Sequence, residues 1–125
     1  MIAIVRKRHN VIEAELPLRL VSGMNVREHW GARKRRAEEH RGVVKMRLQA
    51  AVKPYATLPA VVTITRIAPR PLDDDNLQAS AKHVRDGVAD AFGLDDRNPR
   101  LAWNYAQERG RPKYYGVRIR IEVHS

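Results

Sequence analysis

Between Asp75 and Phe92 the apolar residues Leu77, Ala81, Val84, Val88 and Ala91/Phe92 recur at steps of four, three, four and three or four. That spacing puts them on one side of an α-helix, which then needs a second layer to cover it. Gly93 follows as a stop signal, since glycine takes the left-handed conformation that closes a helix. Rotating by ~100° per residue sets Lys82 and Asp86 within ~20° of the azimuth of Asp75, opposite Leu77, Val84 and Val88. The predicted helix over Asp75–Phe92 therefore has one core face and one face carrying Asp75, Lys82 and Asp86.

Strands supply the covering layer. Val11–Leu16 alternates Ile12, Ala14 and Leu16 against Val11, Glu13 and Glu15, and Pro17 ends it. Met1–Val5 either pairs with this strand or forms an edge. Val61–Ile67 is a β-branched run closed by Pro69 and Pro71. Leu101–Arg109 and Tyr114–Val123 read as two strands of a hairpin joined by Gly110-Arg111-Pro112-Lys113, the second with Val117, Ile119, Ile121 and Val123 inward. An earlier helix is predicted over Arg27–Val52, with Val26, Trp30, Ala37, Val44, Leu48 and Ala51 as its apolar positions and Gly31 and Gly42 weighing against its continuity. The expected architecture is α+β: a small mixed sheet with two main helices in a single domain over residues 1–125. A chain of 125 residues, 43% apolar and 30% charged, is long enough to bury a core without staples. No apolar run approaches the ~20 residues of a membrane span. The opening Met1–Arg6 stretch is too short for a secretory signal, and the cytoplasm is the expected compartment. The absence of cysteine excludes disulfides, zinc ribbons and thiolate catalysis.

Charge narrows the partner. A net charge of +10 and a pI near 10.7 favour a polyanion, nucleic acid being the commonest, against an anionic membrane surface or a merely basic soluble protein. From Arg27 to Arg47 there are eight Lys or Arg against three Glu. Arg33-Lys34-Arg35-Arg36 covers every face of one turn, so it reads either as a phosphate-tracking surface or as a solvated helix face. Within this basic chain Asp73-Asp74-Asp75-Asn76 gathers acid, which requires a cation or a helix N-terminus nearby. Two readings stay open. Asp73 and Asp75, pointing the same way if the chain is extended there, hold a divalent ion together with Asp96. Alternatively Asp73–Asp75 cap the helix and Asp95-Asp96 is an ordinary turn. An 18-residue straight helix is ~27 Å long, so the first reading needs the loop after Gly93 to fold back. Lys82 reads equally as a solvated or ion-paired lysine. The five histidines show no zinc spacing. Trp30, Trp103 and Tyr105 fit a core better than base stacking, whereas Tyr114-Tyr115 beside Arg111 and Lys113 suit a nucleic-acid strand.

Taken together, Leu72-Asp73-Asp74-Asp75-Asn76-Leu77, then Lys82-x-x-x-Asp86, then Leu94-Asp95-Asp96 resemble the RusA family of Holliday-junction resolvases. These are small phage and prophage endonucleases with an Asp-x-Asp-Asn signature, a lysine on the following helix and an Asp-Asp pair after it. The likeness extends over nearly the whole chain, through a strand ending at Leu16-Pro17, a loop reaching Asn25, a basic helix, a Val/Ile strand before the acidic cluster and a C-terminal strand. It implies a RusA-like α+β domain, Mg²⁺ with Mn²⁺ as an alternative, and a homodimer in the bacterial cytoplasm, phage or prophage encoded. The implied substrate is branched DNA, a four-way junction nicked in opposing strands, with no membrane and no small-molecule substrate involved. By the same resemblance Asp73, Asp75 and Asp96 are catalytic metal-binding carboxylates, Asp95 lies beside them as a further ligand, and Lys82 is the catalytic lysine. Asn25, Arg27, Arg33, Lys34, Arg36, Asn76, Arg111 and Lys113 are the expected DNA contacts. Lys82 lies six residues after Asn76 where the family lysine lies three after it, a shift of ~4.5 Å along the helix axis on roughly the same face. The alternatives are a non-catalytic basic DNA-binding protein on the same scaffold and a basic component of an RNA–protein assembly.

Overall fold

The strand Ala60–Ala68 is hydrogen-bonded along both edges, and the rest of the sheet is laid out from it. The computed structural model describes residues 4–8, 10–21 and 30–124. In chain order the elements are β1 (Ile4–Arg8), β2 (Val11–Leu16), α1 (Trp30–Val52) with a 3₁₀ turn at Lys53–Tyr55, β3 (Ala60–Ala68), α2 (Asp74–Ser80), α3 (Lys82–Phe92), β4 (Leu101–Arg109) and β5 (Gly116–Val123). The sheet order is β1-β2-β5-β3-β4, with β4 parallel to β3 and every other pairing antiparallel. This is an α+β fold with a mixed sheet, as the pattern of alternation predicts.

β3 is an interior strand, between β5 and β4, and its β-branched residues suit a strand flanked on both sides. Ala60, Val62 and Ile64 enter the core, joined there by Ile12, Ala14 and Leu16 of β2 and Val117, Ile119, Ile121 and Val123 of β5. α1 and α3 lie over this face, and α2 reaches β4. α1 contributes Val44, Leu48 and Val52, and α3 contributes Val84 and Val88. The two helices touch so closely at Gly87 that a Cβ there would stand 2.7 Å from the Arg41 carbonyl and 2.8 Å from Val44 Cβ. No other residue type fits that approach without displacing α1.

Four expectations are corrected. First, β4 and β5 are not a paired hairpin, because β3 lies between them. The half-exposed β4 takes the edge, and the fully buried inner face of β5 takes the interior between β2 and β3. Second, the helix expected over Asp75–Phe92 is two helices meeting at Ala81 (φ −94°, ψ −1°). The Ser80 hydroxyl donates to the Leu77 carbonyl at 2.7 Å, and the Ala81 N–H turns instead to the Gln78 carbonyl at 3.2 Å. A side chain competing for a helical acceptor bends the helix in this way. Third, Trp30 is 69% exposed and does not join the core. The buried stripe of α1 is His40, Val44, Leu48 and Val52 at steps of four, so a histidine takes the place expected of an apolar residue. Fourth, β1 extends to Arg8, pairing Val5 with Ala14, and Gly42 lies within an unbroken α1.

Candidate functional site

The acidic cluster sits where β3 gives way to α2. Asp73 is extended (φ −69°, ψ 168°) and caps α2, its Oδ1 accepting from both the backbone N–H and the side-chain Nδ2 of Asn76 at 2.9 Å. Asp74 and Asp75 occupy the first turn, exposed, where the helix dipole favours negative charge. Since the helix starts at Asp74, Asp73 and Asp75 are not alternate residues of an extended strand, and the condition that would aim them the same way is not met. Asn76 is buried beneath the cap. The cluster is tied to β4 through residue 72. Gln107 accepts from the Leu72 N–H at 2.8 Å and donates to the Leu72 carbonyl at 2.7 Å.

The loop after α3 does fold back. Gly93 ends the helix in the left-handed conformation (φ 72°), and Asp96 returns to the flank of α3. Arg85 donates from Nε to Asp96 Oδ2 at 2.9 Å and from Nη1 to the Tyr105 hydroxyl at 2.9 Å, with its guanidinium 4.7 Å from the Trp103 ring centre. Trp103 Nε1 donates to the Asp96 carbonyl at 2.8 Å. Trp103, Tyr105 and Gln107 are alternate residues of β4 and so share its helix-facing side. Trp103 anchors the Asp96 end and Gln107 the Leu72 end, four residues apart, or ~13 Å along the strand. That is half the ~27 Å of an unbroken helix. A groove of about 320 Å³ opens between them, lined by Asp74, Leu77, Gln78, Trp103, Asn104 and Tyr105.

The full set of expected metal ligands is not assembled. Among the described residues no three Asp, Glu, His or Cys side chains gather closely enough to hold an ion. Asp96 is engaged by Arg85. Asp95 is exposed and accepts from the Arg97 backbone and side chain, contacts that hold its carboxyl below the usual range. The donor chemistry at α2 nonetheless suits a hard cation in its commonest mode, one or two carboxylates with water and substrate phosphate completing the shell. Both capping bonds go to Asp73 Oδ1, so Oδ2 lies outside them, and Asp75 is exposed two residues further on, in the first turn. Lys82, on the first turn of α3, stands 3.9 Å from Asp86 in an i,i+4 pair, and its side chain is exposed.

The cationic residues divide by layer. Lys34 and Arg35 are exposed on α1, while Arg33 and Arg36 border, with His40, Ser80 and His83, a cavity of about 100 Å³. Arg41 is bidentate to Asp90 of α3, at 2.6 and 3.0 Å. Arg111 and Lys113 are exposed in the β4–β5 connection, where Lys113 has φ 64°. Asn25 and Arg27 lie outside the described residues. Asp74, Arg85, Trp103 and Tyr105 were not expected as parts of one site. Period-two alternation on β4 held the signal for the two aromatics, but nothing local pairs Arg85 with an acid eleven residues on.

No family model matches the chain. A curated protein from Xylella fastidiosa, described as uncharacterized, is 35% identical over 82 residues, which is 58% of this chain and 52% of the relative, so the chain spans about half the length of the relative it matches. Among solved structures, the cell wall anchor of the T6SS from Pseudomonas aeruginosa aligns with 98% of this chain and 88% of its own at a TM-score of 0.52 and 14% identity. The protein Atu1372 of unknown function from Agrobacterium tumefaciens aligns with 97% of this chain and 82% of its own, at 0.51 and 14%. At such identity these likenesses concern the architecture of the sheet and helices alone.

Proposed function

We propose that this protein is a metal-dependent endodeoxyribonuclease that binds branched DNA as a homodimer and nicks it. The observation that carries the reading is a groove bordered by Asp74 of the Asp73-Asp74-Asp75-Asn76 helix start and by Trp103 and Tyr105, which bond Asp96 and Arg85, in a chain of net charge +10. Asp73 and Asp75 are the residues to hold Mg²⁺ or Mn²⁺, which when bound supplies an activated water and neutralises charge on the scissile phosphate. Asn76 fixes the rotamer of Asp73 by bonding it twice. Lys82 lies one helical segment further on and offers a cation for the phosphate or the leaving oxygen. Arg33, Lys34 and Arg36 of α1 and Arg111 and Lys113 of the β4–β5 connection follow the DNA arms through their phosphates. A two-fold dimer would present two such sites to a two-fold substrate.

A second reading, a non-catalytic DNA-binding protein on this scaffold, is favoured by the engagement of Asp96 with Arg85 rather than with the other carboxylates. A labelled synthetic four-way junction separates the two. Wild type with Mg²⁺ or Mn²⁺ is expected to give nicked products. Asp75→Asn should give none while binding the junction as tightly or more tightly, because one negative charge near the phosphates is gone. Junction binding by wild type with no nick under either metal would overturn the enzyme reading, and tighter binding to RNA than to the junction at matched salt would overturn both.

A further inference from the structure

The groove of about 320 Å³ is built from two elements. Asp74, Leu77 and Gln78 come from α2 at i, i+3 and i+4, so one face of that helix presents them together. Trp103, Asn104 and Tyr105 come from β4, the edge strand of the sheet. Among the described residues the lining holds a carboxylate, two carboxamides, two aromatic rings and a leucine, and neither Lys nor Arg.

The aromatics are held in place by the chain itself. Trp103 Nε1 donates to the Asp96 carbonyl at 2.8 Å, and the Tyr105 hydroxyl accepts from Arg85 at 2.9 Å. The Arg85 guanidinium lies 4.7 Å from the Trp103 ring centre. With those polar atoms engaged, what the two residues offer the groove is chiefly ring surface. Rings fixed in advance lower the ordering cost of stacking a ligand on them. Asp74, Gln78 and Asn104 are exposed, so their polar groups stay solvated until a ligand displaces the water.

This lining disfavours a phosphate, which the Asp74 carboxylate repels. A neutral planar group fits it. Aromatic side chains stack any base, carboxamides both donate and accept, and a carboxylate accepts from an exocyclic amino group such as that of cytosine. The volume is close to the ~300 Å³ at which small-ligand pockets begin, which suits one base. A base inside a duplex has its faces stacked and its edge paired, so the base that enters must be unpaired.

We propose that the groove receives one unpaired DNA base, stacked against Trp103 and Tyr105, with its edge read by Asp74, Gln78 and Asn104. Adenine, cytosine and guanine are then bound in preference to thymine, which lacks an amino group. The proposal rests on the DNA-binding part of the function proposed above and on neither the metal nor the nick.

The test uses the full chain without divalent metal and short labelled single strands of dC, dA or dT. Abasic strands with the same number of phosphates hold the electrostatic contribution constant. Wild type should bind dC and dA about tenfold more tightly than the abasic strand, and dT more weakly than either. The Trp103 indole N–H resonance should move with dC and not with the abasic strand. Gln78→Ala and Asn104→Ala, both at exposed positions, should each lower the ratio of dC to abasic affinity several-fold. Gln49→Ala, exposed on α1, should leave it unchanged. Asp74→Asn should raise affinity for every strand, since one negative charge is lost, yet bring dT level with dC, because a carboxamide serves either edge. Equal affinity for dC and abasic strands, a Trp103 resonance that does not move, or a ratio unchanged in all three groove variants overturns the proposal. Tighter binding of the matched ribonucleotide strand overturns DNA as the source of the base. Base-indifferent binding of DNA overturns this proposal alone, whereas binding of no strand and no junction overturns the DNA-binding reading with it.

Discussion

The two faces of the sheet differ in how many acids stand beside their arginines. On the open face Arg118 donates to Glu108 at 2.6 Å and to Glu15 at 3.0 Å, while Arg120 lies 3.5 Å from Glu13 and donates to Glu122 at 3.0 Å. Four glutamates thus surround two arginines. On the helix-covered side α1 carries seven Lys or Arg from Arg33 to Arg47 against Glu38 and Glu39. α1 therefore carries a basic surplus that this cluster of arginines and glutamates on the open face lacks. Exposed ion pairs contribute only ~0–1 kcal/mol each, so the glutamates on the open face matter more for where an anion docks than for stability.

The strongest way to break this contrast is to unseat the basic layer. Gly87→Val drives a side chain into the Arg41 carbonyl and Val44, and overpacking of that kind costs ~1–3 kcal/mol or somewhat more. Urea unfolding should show the loss, and junction affinity should fall with it. Retained DNA binding by a folded variant would move the interface to the sheet.

Protonation gives the next effect. His40 sits near 4 in the folded protein against 6.5 when unfolded. Between those values the unfolded chain holds more protons, so stability is fully present above pH 6.5 and is lost as pH falls toward 4. The full shift, discounted for water admitted by the neighbouring cavity, is on the order of 2 kcal/mol. Thermal melts should fall over this window, and His40→Leu should flatten the curve.

Charge reversal tests the contrast directly. Arg33→Glu with Arg36→Glu should weaken junction binding about tenfold or more and flatten its salt dependence by roughly 0.9 for each phosphate the protein no longer neutralises. The same reversal at Arg118 and Arg120 should change it less than about twofold if phosphates are bound only by the helical layer. The smallest effect belongs to Arg118→Ala, which should cost under about 1 kcal/mol in denaturant unfolding because both its partners are solvated.

Much of this fold is legible in the residues themselves. Alternation gives β2 its observed bounds, since its inward residues Ile12, Ala14 and Leu16 are apolar and Glu13 and Glu15 face outward. The stripe from Leu77 to Phe92 marks the right segment, but the hydrogen bond that divides it depends on one serine hydroxyl. Pairing order is hidden because proximity in sequence favours a hairpin, while the sheet inserts β3 between β4 and β5. At the candidate site the cap by Asp73 is readable from residue type and position. The engagement of Asp96 with Arg85 and Trp103, and of Arg85 with Tyr105, depends on the path of a loop and on the return of β4. No local pattern encodes either.

That loop also works as a ruler. β3 and β4 run parallel, so everything from Ala60 to Arg109 is one crossover, and the stretch from Gly93 to Arg100 decides where along β4 the chain re-enters the sheet. Each residue added or removed there would displace Asp96 relative to Asp73 by up to ~3.3 Å. Length variation in this one connection would therefore set the span between the two acidic ends, with no substitution needed at either of them.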